Sequence, residues 1–261
     1  MNSLRFSLAI LTTASLLTAC GGGGDSTSAT PAPATPTAPV TKVEGYYAGA
    51  VSTGTQFQLL ALENDQLYAL IGNTDAQGVF RVSSLVEGAG TSANGSFSVA
   101  NAKEYLPSGQ ALTGSISGSF SPRTTIMGTV TSSSGTASFT GTAPATASLN
   151  YDTAASLSTV SGSWTGSTLA GEAVTFSVAA TGAVTGTSAL GCRFTGSAAP
   201  RASGKNVLDV SVTFGPAPCL LPGVTGTGIG VTSLLTNGKR QLLLAVTNPG
   251  RTAGTVVFAQ R

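Results

Sequence analysis

The chain has 261 residues, of which 12 are Lys or Arg, 10 are Asp or Glu and none is His, so its formal net charge is +2. Charged residues make up 8% of the sequence, far below the share of about a quarter in an average soluble domain, and the basic residues form no cluster. This balance argues against a nucleic-acid-binding protein. The missing histidine excludes Ser–His and Cys–His nucleophile activation as well as His-ligated zinc.

The first nineteen residues have the layout of a secretory signal. Arg5 is the only charged side chain in this segment, and the mostly apolar run at residues 6–19 is too short to span a bilayer. The sequence LTAC at residues 17–20 resembles the lipobox of bacterial lipoprotein signal peptides. This resemblance implies removal of residues 1–19 and lipidation of Cys20, with a diacylglycerol on its thiol and an acyl chain such as palmitate on its new amine. An ordinary signal peptide with an incidental cysteine is the alternative.

Residues 20–42 are predicted to be a disordered tether rich in Gly, Pro, Ala and Thr. From Gly21 to Pro39 no side chain is larger than Asp or Thr, so the segment cannot bury enough apolar area to offset its chain entropy. In Gram-negative lipoproteins, an Asp directly after the lipidated cysteine usually retains the protein at the inner membrane. Gly21 stands at that position, so the resemblance implies a lipid anchor in the outer membrane, on either the periplasmic or the exposed side.

From residue 43 onward, short β-branched or aromatic runs alternate with Gly, Asn, Asp, Pro and Ser. In VTFSVA, for example, Val174, Phe176 and Val178 face one way and the residues between them face the other. A period of two between turn residues is typical of strands. No amphipathic helix is evident, so the sequence predicts an all-β protein.

A weak internal repeat divides this region into two halves. GYYAG at residues 45–49 opens the first half and GSWTG at 162–166 opens the second. We predict two tandem small antiparallel units, each a β-barrel or a β-sandwich, over residues 43–142 and 157–261. The connector at residues 143–156 loses the alternation, and we expect few contacts to cross it. One larger β domain is the alternative.

The two remaining cysteines, Cys192 and Cys219, are predicted to form a disulfide. They lie almost symmetrically about a turn at residues 203–206, so an antiparallel hairpin brings them nearly opposite each other. The bridge would close a loop of about 28 residues in an oxidising compartment. A metal site is the alternative, but two thiols without histidine make a poor one.

The residues Gly162, Ser163 and Trp164 resemble the Gly-x-Trp opening of lipocalins and other calycin barrels. The resemblance implies that Trp164 closes one end of a barrel and that a basic residue near the last strand, Arg251 or Arg261, packs over it. Each half is shorter than a lipocalin, so we expect a narrow or filled pocket. A plain core aromatic is the alternative reading of Trp164.

Paired carboxylates are the remaining route to catalysis. Glu63, Asp65 and Asp75 fall in predicted turns, where acidic side chains serve the backbone and face solvent. GVTGTGIGV at residues 223–231 lacks the helix and lysine of a nucleotide-binding loop, so it is predicted to be a glycine-rich strand or bend. The sequence therefore predicts a protein that is not an enzyme, with no catalytic residue, no metal and no cofactor.

Together these features predict a non-catalytic lipoprotein anchored to the outer membrane, with a surface or periplasmic module that binds a protein, a glycan or a small apolar ligand. A structural accessory of envelope assembly and a calycin-like carrier of a small apolar ligand are the alternatives. The ligand itself is not evident in the sequence.

Overall fold

The alternating segments form strands throughout the computed structural model, which describes residues 40–145, 149–235 and 237–261. The predicted all-β class is confirmed, and both β regions are closed antiparallel barrels of eight strands. The described ranges contain one α-helix, the four-residue α1 (Leu157–Val160). No helix in these ranges is long and apolar enough to cross a membrane. Cys20 and the tether up to Pro39 lie outside the described residues.

The first barrel is built from the strands before the connector. Its strands are β1 (Gly45–Val51), β2 (Gln56–Ala61), β3 (Gln66–Thr74), β4 (Phe80–Ala89), β5 (Thr91–Ala93), β6 (Ser96–Tyr105), β7 (Ala111–Ser121), β8 (Thr125–Ser132) and β9 (Gly135–Thr142). β1 pairs with both β2 and β9, and pairing of β4 with β6 closes the ring. The short β5 pairs with β6 beside this closure.

The second barrel is a simple up-and-down arrangement in which each strand pairs with its sequence neighbours. Its strands are β10 (Gly162–Thr168), β11 (Ala173–Val178), β12 (Ala183–Ser188), β13 (Arg193–Pro200), β14 (Leu208–Phe214), β15 (Thr225–Leu234), β16 (Arg240–Thr247) and β17 (Gly254–Gln260). β10 pairs with β17 and closes the barrel. Residues 225–231 of the glycine-rich run at 223–231 form the first part of β15, as predicted.

Aromatic rings fill the interior of the first barrel. Phe139 lies between Phe57 and Phe97, with ring centroids 5.6 and 6.4 Å away, and Phe120 lies 6.4 Å from Phe97. The rings need close backbone approach: a Cβ added at Gly141 would lie only 2.6 Å from the ring of Phe57. Small residues under large rings therefore allow this barrel to pack to its centre.

A third apolar cluster joins the two barrels. It is formed by buried side chains from the first barrel, the connector and the second barrel, including Leu60, Leu85, Tyr151, Ile229 and Val256. The expectation of few contacts across the connector thus differs from the structure. The reason lies in strands such as β2, where apolar side chains point both into the barrel and away from it, so the outward ones need cover.

Candidate functional site

The interior of the second barrel holds a cavity of about 410 Å³. Its walls are mainly aliphatic and aromatic side chains on strands from around the barrel, among them Val174, Phe176, Val184, Val210, Val212 and Leu244. Ligand pockets in proteins commonly have volumes of about 300–1,000 Å³ and mainly apolar walls. The cavity therefore has the size and lining of a small-molecule site. Of the expected narrow or filled pocket, the filled alternative therefore differs from the structure of this barrel.

Trp164 closes one end of the second barrel. Its side chain is buried, its indole Nε1 donates a hydrogen bond of 2.7 Å to the carbonyl of Val160, and the guanidinium of Arg261 lies 4.5 Å from the ring centroid. Arg261 also donates hydrogen bonds to the carbonyls of Ser161 and Thr159. The predicted packing of an arginine over Trp164 is thus present, and Arg261 provides it. This end is sealed by a ring, a cation and the short helix before β10.

The opposite end of the barrel forms the mouth of the cavity. The turns between β10 and β11 and between β12 and β13 line the mouth, as does the longer connection at residues 215–224 between β14 and β15. The predicted disulfide is present there: Cys192 and Cys219 are bonded, with their Cα atoms 4.5 Å apart. Phe194 pairs with Phe214 in the ladder just below the bridge. The disulfide therefore fixes two of the segments that shape the opening.

The first barrel supplies one wall of the mouth. Residues 106–109, which join β6 to β7, line the cavity together with Gly254 at the start of β17. Tyr105, directly before this loop, packs so closely that a Cβ added at Gly254 would lie 2.9 Å from its ring. The opening is therefore completed by a loop that belongs to the other barrel.

A buried ion pair fixes that contact. The carboxylate of Glu87, whose side chain is 6% exposed, accepts hydrogen bonds from Arg251 Nε at 2.6 Å and from the Tyr105 hydroxyl at 3.0 Å. Burial, repulsion from Glu87 and donation to its carboxylate raise the pKa of Tyr105 above its ordinary value. Tyr105 is thus a stable neutral donor near neutral pH, and Arg251 holds the barrels together instead of covering Trp164.

Few polar groups reach the cavity, and those with charge or strong hydrogen-bonding capacity lie at its mouth. Glu172 accepts a hydrogen bond of 3.3 Å from the Leu190 backbone N–H, and the buried Ser188 hydroxyl accepts one of 3.2 Å from the Cys192 N–H. Asn248 also lines the mouth, but its side chain bonds within its own turn. Glu172 and Ser188 thus lie against the same turn of the mouth.

Two exposed leucines border the opening. Leu190 is 72% exposed and Leu220 is 93% exposed, and both line the cavity. Isolated exposed leucines are common on protein surfaces, but these two continue the apolar lining outward. A ligand can therefore pass from solvent to the cavity along an apolar rim.

The turn carboxylates Glu63, Asp65 and Asp75 are each engaged in hydrogen bonds and ion pairs with neighbouring residues. Asp75 accepts hydrogen bonds from the Val79 and Gln77 N–H groups and pairs with Arg81, and these contacts lower its pKa. Asp65 is buried, which corrects the expectation that it faces solvent, because it pairs with Lys42 and accepts a hydrogen bond from the Ser92 hydroxyl.

Glu63 links the barrels through Arg201, whose Nε lies 2.7 Å from the carboxylate. Partial burial acts to raise the pKa of Glu63, but the hydrogen bond and charge of Arg201 outweigh this and leave the pKa below its ordinary value. Within the described ranges, no group of three or more His, Cys, Asp or Glu side chains is placed to hold a metal ion.

Comparison with known proteins gives two distant structural likenesses. No protein-family model and no curated protein sequence matches the chain. A DUF3598-family protein of unknown function from Nostoc punctiforme has 14% identity and a TM-score of 0.26, over 84% of this chain and 94% of that one. Isotype 1 transferrin binding protein B from serogroup B Neisseria meningitidis has 10% identity and a TM-score of 0.26, over 79% of this chain and 58% of that one. At this TM-score, neither structure supports an inference about this chain.

Proposed function

We propose that this chain is a lipoprotein, anchored to the outer membrane through Cys20, whose second barrel binds a small apolar ligand. The cavity of about 410 Å³ inside that barrel carries the ligand-binding part of the proposal. The LTAC sequence at residues 17–20 supports the anchor. Among the predicted functions, an apolar cavity favours a ligand carrier over a general interaction module.

The lining explains why the ligand is apolar. Aliphatic and aromatic walls offer no compensation for a desolvated polar group, and burial of such a group without a partner costs about 1–3 kcal/mol. In contrast, each methylene that leaves water gains about 0.8 kcal/mol. A small molecule with one apolar body and one polar end at the mouth therefore suits the site.

Fluorescence titration with N-phenyl-1-naphthylamine, a neutral apolar probe, tests the ligand-binding part. We expect saturable binding of one probe per chain. The double variant Ala198→Phe/Val212→Phe fills the cavity with two rings and should abolish that binding, because both side chains line it. Leu234→Phe is the matched control, since Leu234 is 57% exposed on the same barrel. Equal binding by both variants would place the probe elsewhere and contradict the proposal.

Metabolic labelling with palmitate tests the anchor separately. In the lipobox resemblance the Cys20 sulfur is the nucleophile that becomes alkylated by a diacylglyceryl group, so Cys20→Ser should lose the label and accumulate uncleaved precursor. Cys20→Ser is not expected to change probe binding by the folded barrels. Normal cleavage and membrane fractionation of the variant would contradict the anchor and leave the ligand proposal intact.

A further inference from the structure

We infer that the cavity favours ligands whose polar end is neutral or cationic, such as an alcohol or an amine, over ligands that end in a carboxylate. This inference rests on the proposed function and specifies its ligand class. It follows from the charge at the mouth. Among the described residues that line the cavity there is no Lys or Arg, and the charged one is Glu172.

The Glu172 carboxylate is not neutralised by a neighbour. It takes part in no ion pair within the part of the chain that the structure describes. Its hydrogen bond comes from the neutral N–H of Leu190. Arg251, the cation in the neighbouring turn between β16 and β17, is already bonded to Glu87 and to the carbonyl of Asn101. Glu172 therefore places one unpaired negative charge on the lining of the mouth, whereas the exposed Arg193, next to Cys192 at the same end of the barrel, is not among the lining residues.

The arrangement of Glu172 and Ser188 suits a hydroxyl group. The Ser188 oxygen accepts the Cys192 N–H, and within the described ranges its own O–H is donated to no protein acceptor. An alcohol at the mouth can accept the Ser188 O–H or donate its own proton to the Glu172 carboxylate. A primary ammonium can donate to Glu172 and gain charge attraction as well.

A carboxylate end meets the opposite situation. With the apolar tail in the barrel, its anion would leave water beside Glu172, with no lining cation to compensate it. Like charges at close range near a protein surface repel strongly enough to change affinity by about tenfold or more. The selectivity should therefore depend on the charge of Glu172.

Displacement of N-phenyl-1-naphthylamine by dodecanol, dodecylamine and dodecanoate at pH 8 measures this selectivity. Dodecanol leaves water more readily than dodecanoate for any apolar site, so the informative quantity is how the affinity ratio changes on substitution. We expect Glu172→Gln to reduce the preference for dodecanol over dodecanoate about tenfold. Glu172→Lys should make dodecanoate the tighter ligand relative to dodecylamine.

Asp209→Asn is the matched control for net charge. It removes one carboxylate from the outward face of β14 on the same barrel, where the side chain is 56% exposed. Its selectivity should equal that of the unchanged protein. If the probe binds and Glu172→Gln has the selectivity of Asp209→Asn, the inference is overturned while the proposed function stands. If no probe binds to the unchanged protein, the proposed function itself fails.

Discussion

The two barrels are closed rings of eight strands formed by chain segments of similar length, yet one is filled and the other is hollow. In the first barrel, four phenylalanines meet at the centre and cover glycines on the neighbouring strands. In the second, Phe176, Phe194 and Phe214 line the wall of the cavity beside aliphatic residues such as Val184 and Val210, and Trp164 lies at one end. Among the described residues, the phenylalanine rings of the first barrel contact one another, whereas those of the second line a cavity without such contacts.

This difference has an energetic meaning. Protein interiors are usually packed to crystal-like density, and a void loses the contacts its walls would otherwise make. The first barrel follows that rule and contributes packing energy. The second departs from it while a disulfide and the first barrel's loop hold its mouth. The hollow barrel thus depends on its surroundings more than the filled one does.

Removal of one aromatic ring from each barrel should have the largest effect on the free energy of unfolding, and the size of the effect should differ between the two barrels. Phe97→Ala deletes a buried ring that contacts two others, so we expect a loss of about 3–5 kcal/mol in the free energy of unfolding. Phe194→Ala deletes a half-buried ring that already faces the cavity, and the loss should stay below about 2 kcal/mol. Urea denaturation of both variants gives the two values. Equal losses would show that both interiors are packed alike.

Loss of the disulfide should have the next largest effect, confined to the second barrel. Replacement of Cys192 and Cys219 by Ala frees a loop whose closure is worth about 3–4 kcal/mol in the chain-entropy model. Hydrogen exchange should then accelerate in β13, β14 and β15 and remain slow in β7 and β8. Probe affinity should also fall, because the bridge shapes the mouth. Uniform acceleration across both barrels would mean that they unfold as one unit.

Alkaline pH should have the smallest effect on the free energy of unfolding, and this effect should arise in the first barrel and in its contact with the second barrel. All five tyrosines lie before residue 152, whereas the single tryptophan lies in the second barrel. Burial, with a smaller contribution from Glu87, raises the pKa of Tyr68 to about 12, against about 10 in an unfolded chain. As pH rises, Tyr68 therefore ionises in the unfolded state before it ionises in the folded state. The contribution of neutral Tyr68 to the free energy of unfolding is complete below about pH 10 and is lost between about pH 10 and 12.

Tyr68→Phe isolates that contribution, because the Tyr68 hydroxyl donates no hydrogen bond within the described ranges. Between pH 8 and pH 11, the free energy of unfolding of the variant should fall by about 1 kcal/mol less than that of the unchanged protein. Urea unfolding followed separately by tyrosine absorbance and by Trp164 fluorescence reports the two barrels. An identical pH dependence with and without Tyr68 would contradict the assignment.

Much of this fold follows from local patterns. Period-two segments and turn residues predict the strands, and the symmetric spacing of Cys192 and Cys219 about one turn predicts their bridge. The Gly-x-Trp resemblance correctly implies an arginine over Trp164. These features depend on residues that are close in sequence or on one shared turn, so the sequence alone constrains them.

The cavity and its mouth depend on contacts that no local pattern contains. The cavity is lined by residues from all eight strands of the second barrel, and the register of the whole barrel sets which of them face one another. The loop at residues 106–109 reaches the mouth through the contacts of Tyr105 and Glu87 with Arg251, which join residues well over a hundred positions apart. The run at residues 59–62 is apolar on both faces of β2 and so indicates that its outward face is covered. The sequence does not show which surface covers that face.

Methyl-labelled NMR with carbon-labelled dodecanol tests most directly whether the second barrel is a container. The account predicts intermolecular NOEs from the dodecanol chain to the methyl groups of Val184, Val212 and Leu244, which line the cavity. It predicts none to Leu59 or Val99 inside the filled barrel. NOEs restricted to the exposed Leu220 and Leu234, with none to the three cavity residues, would contradict it.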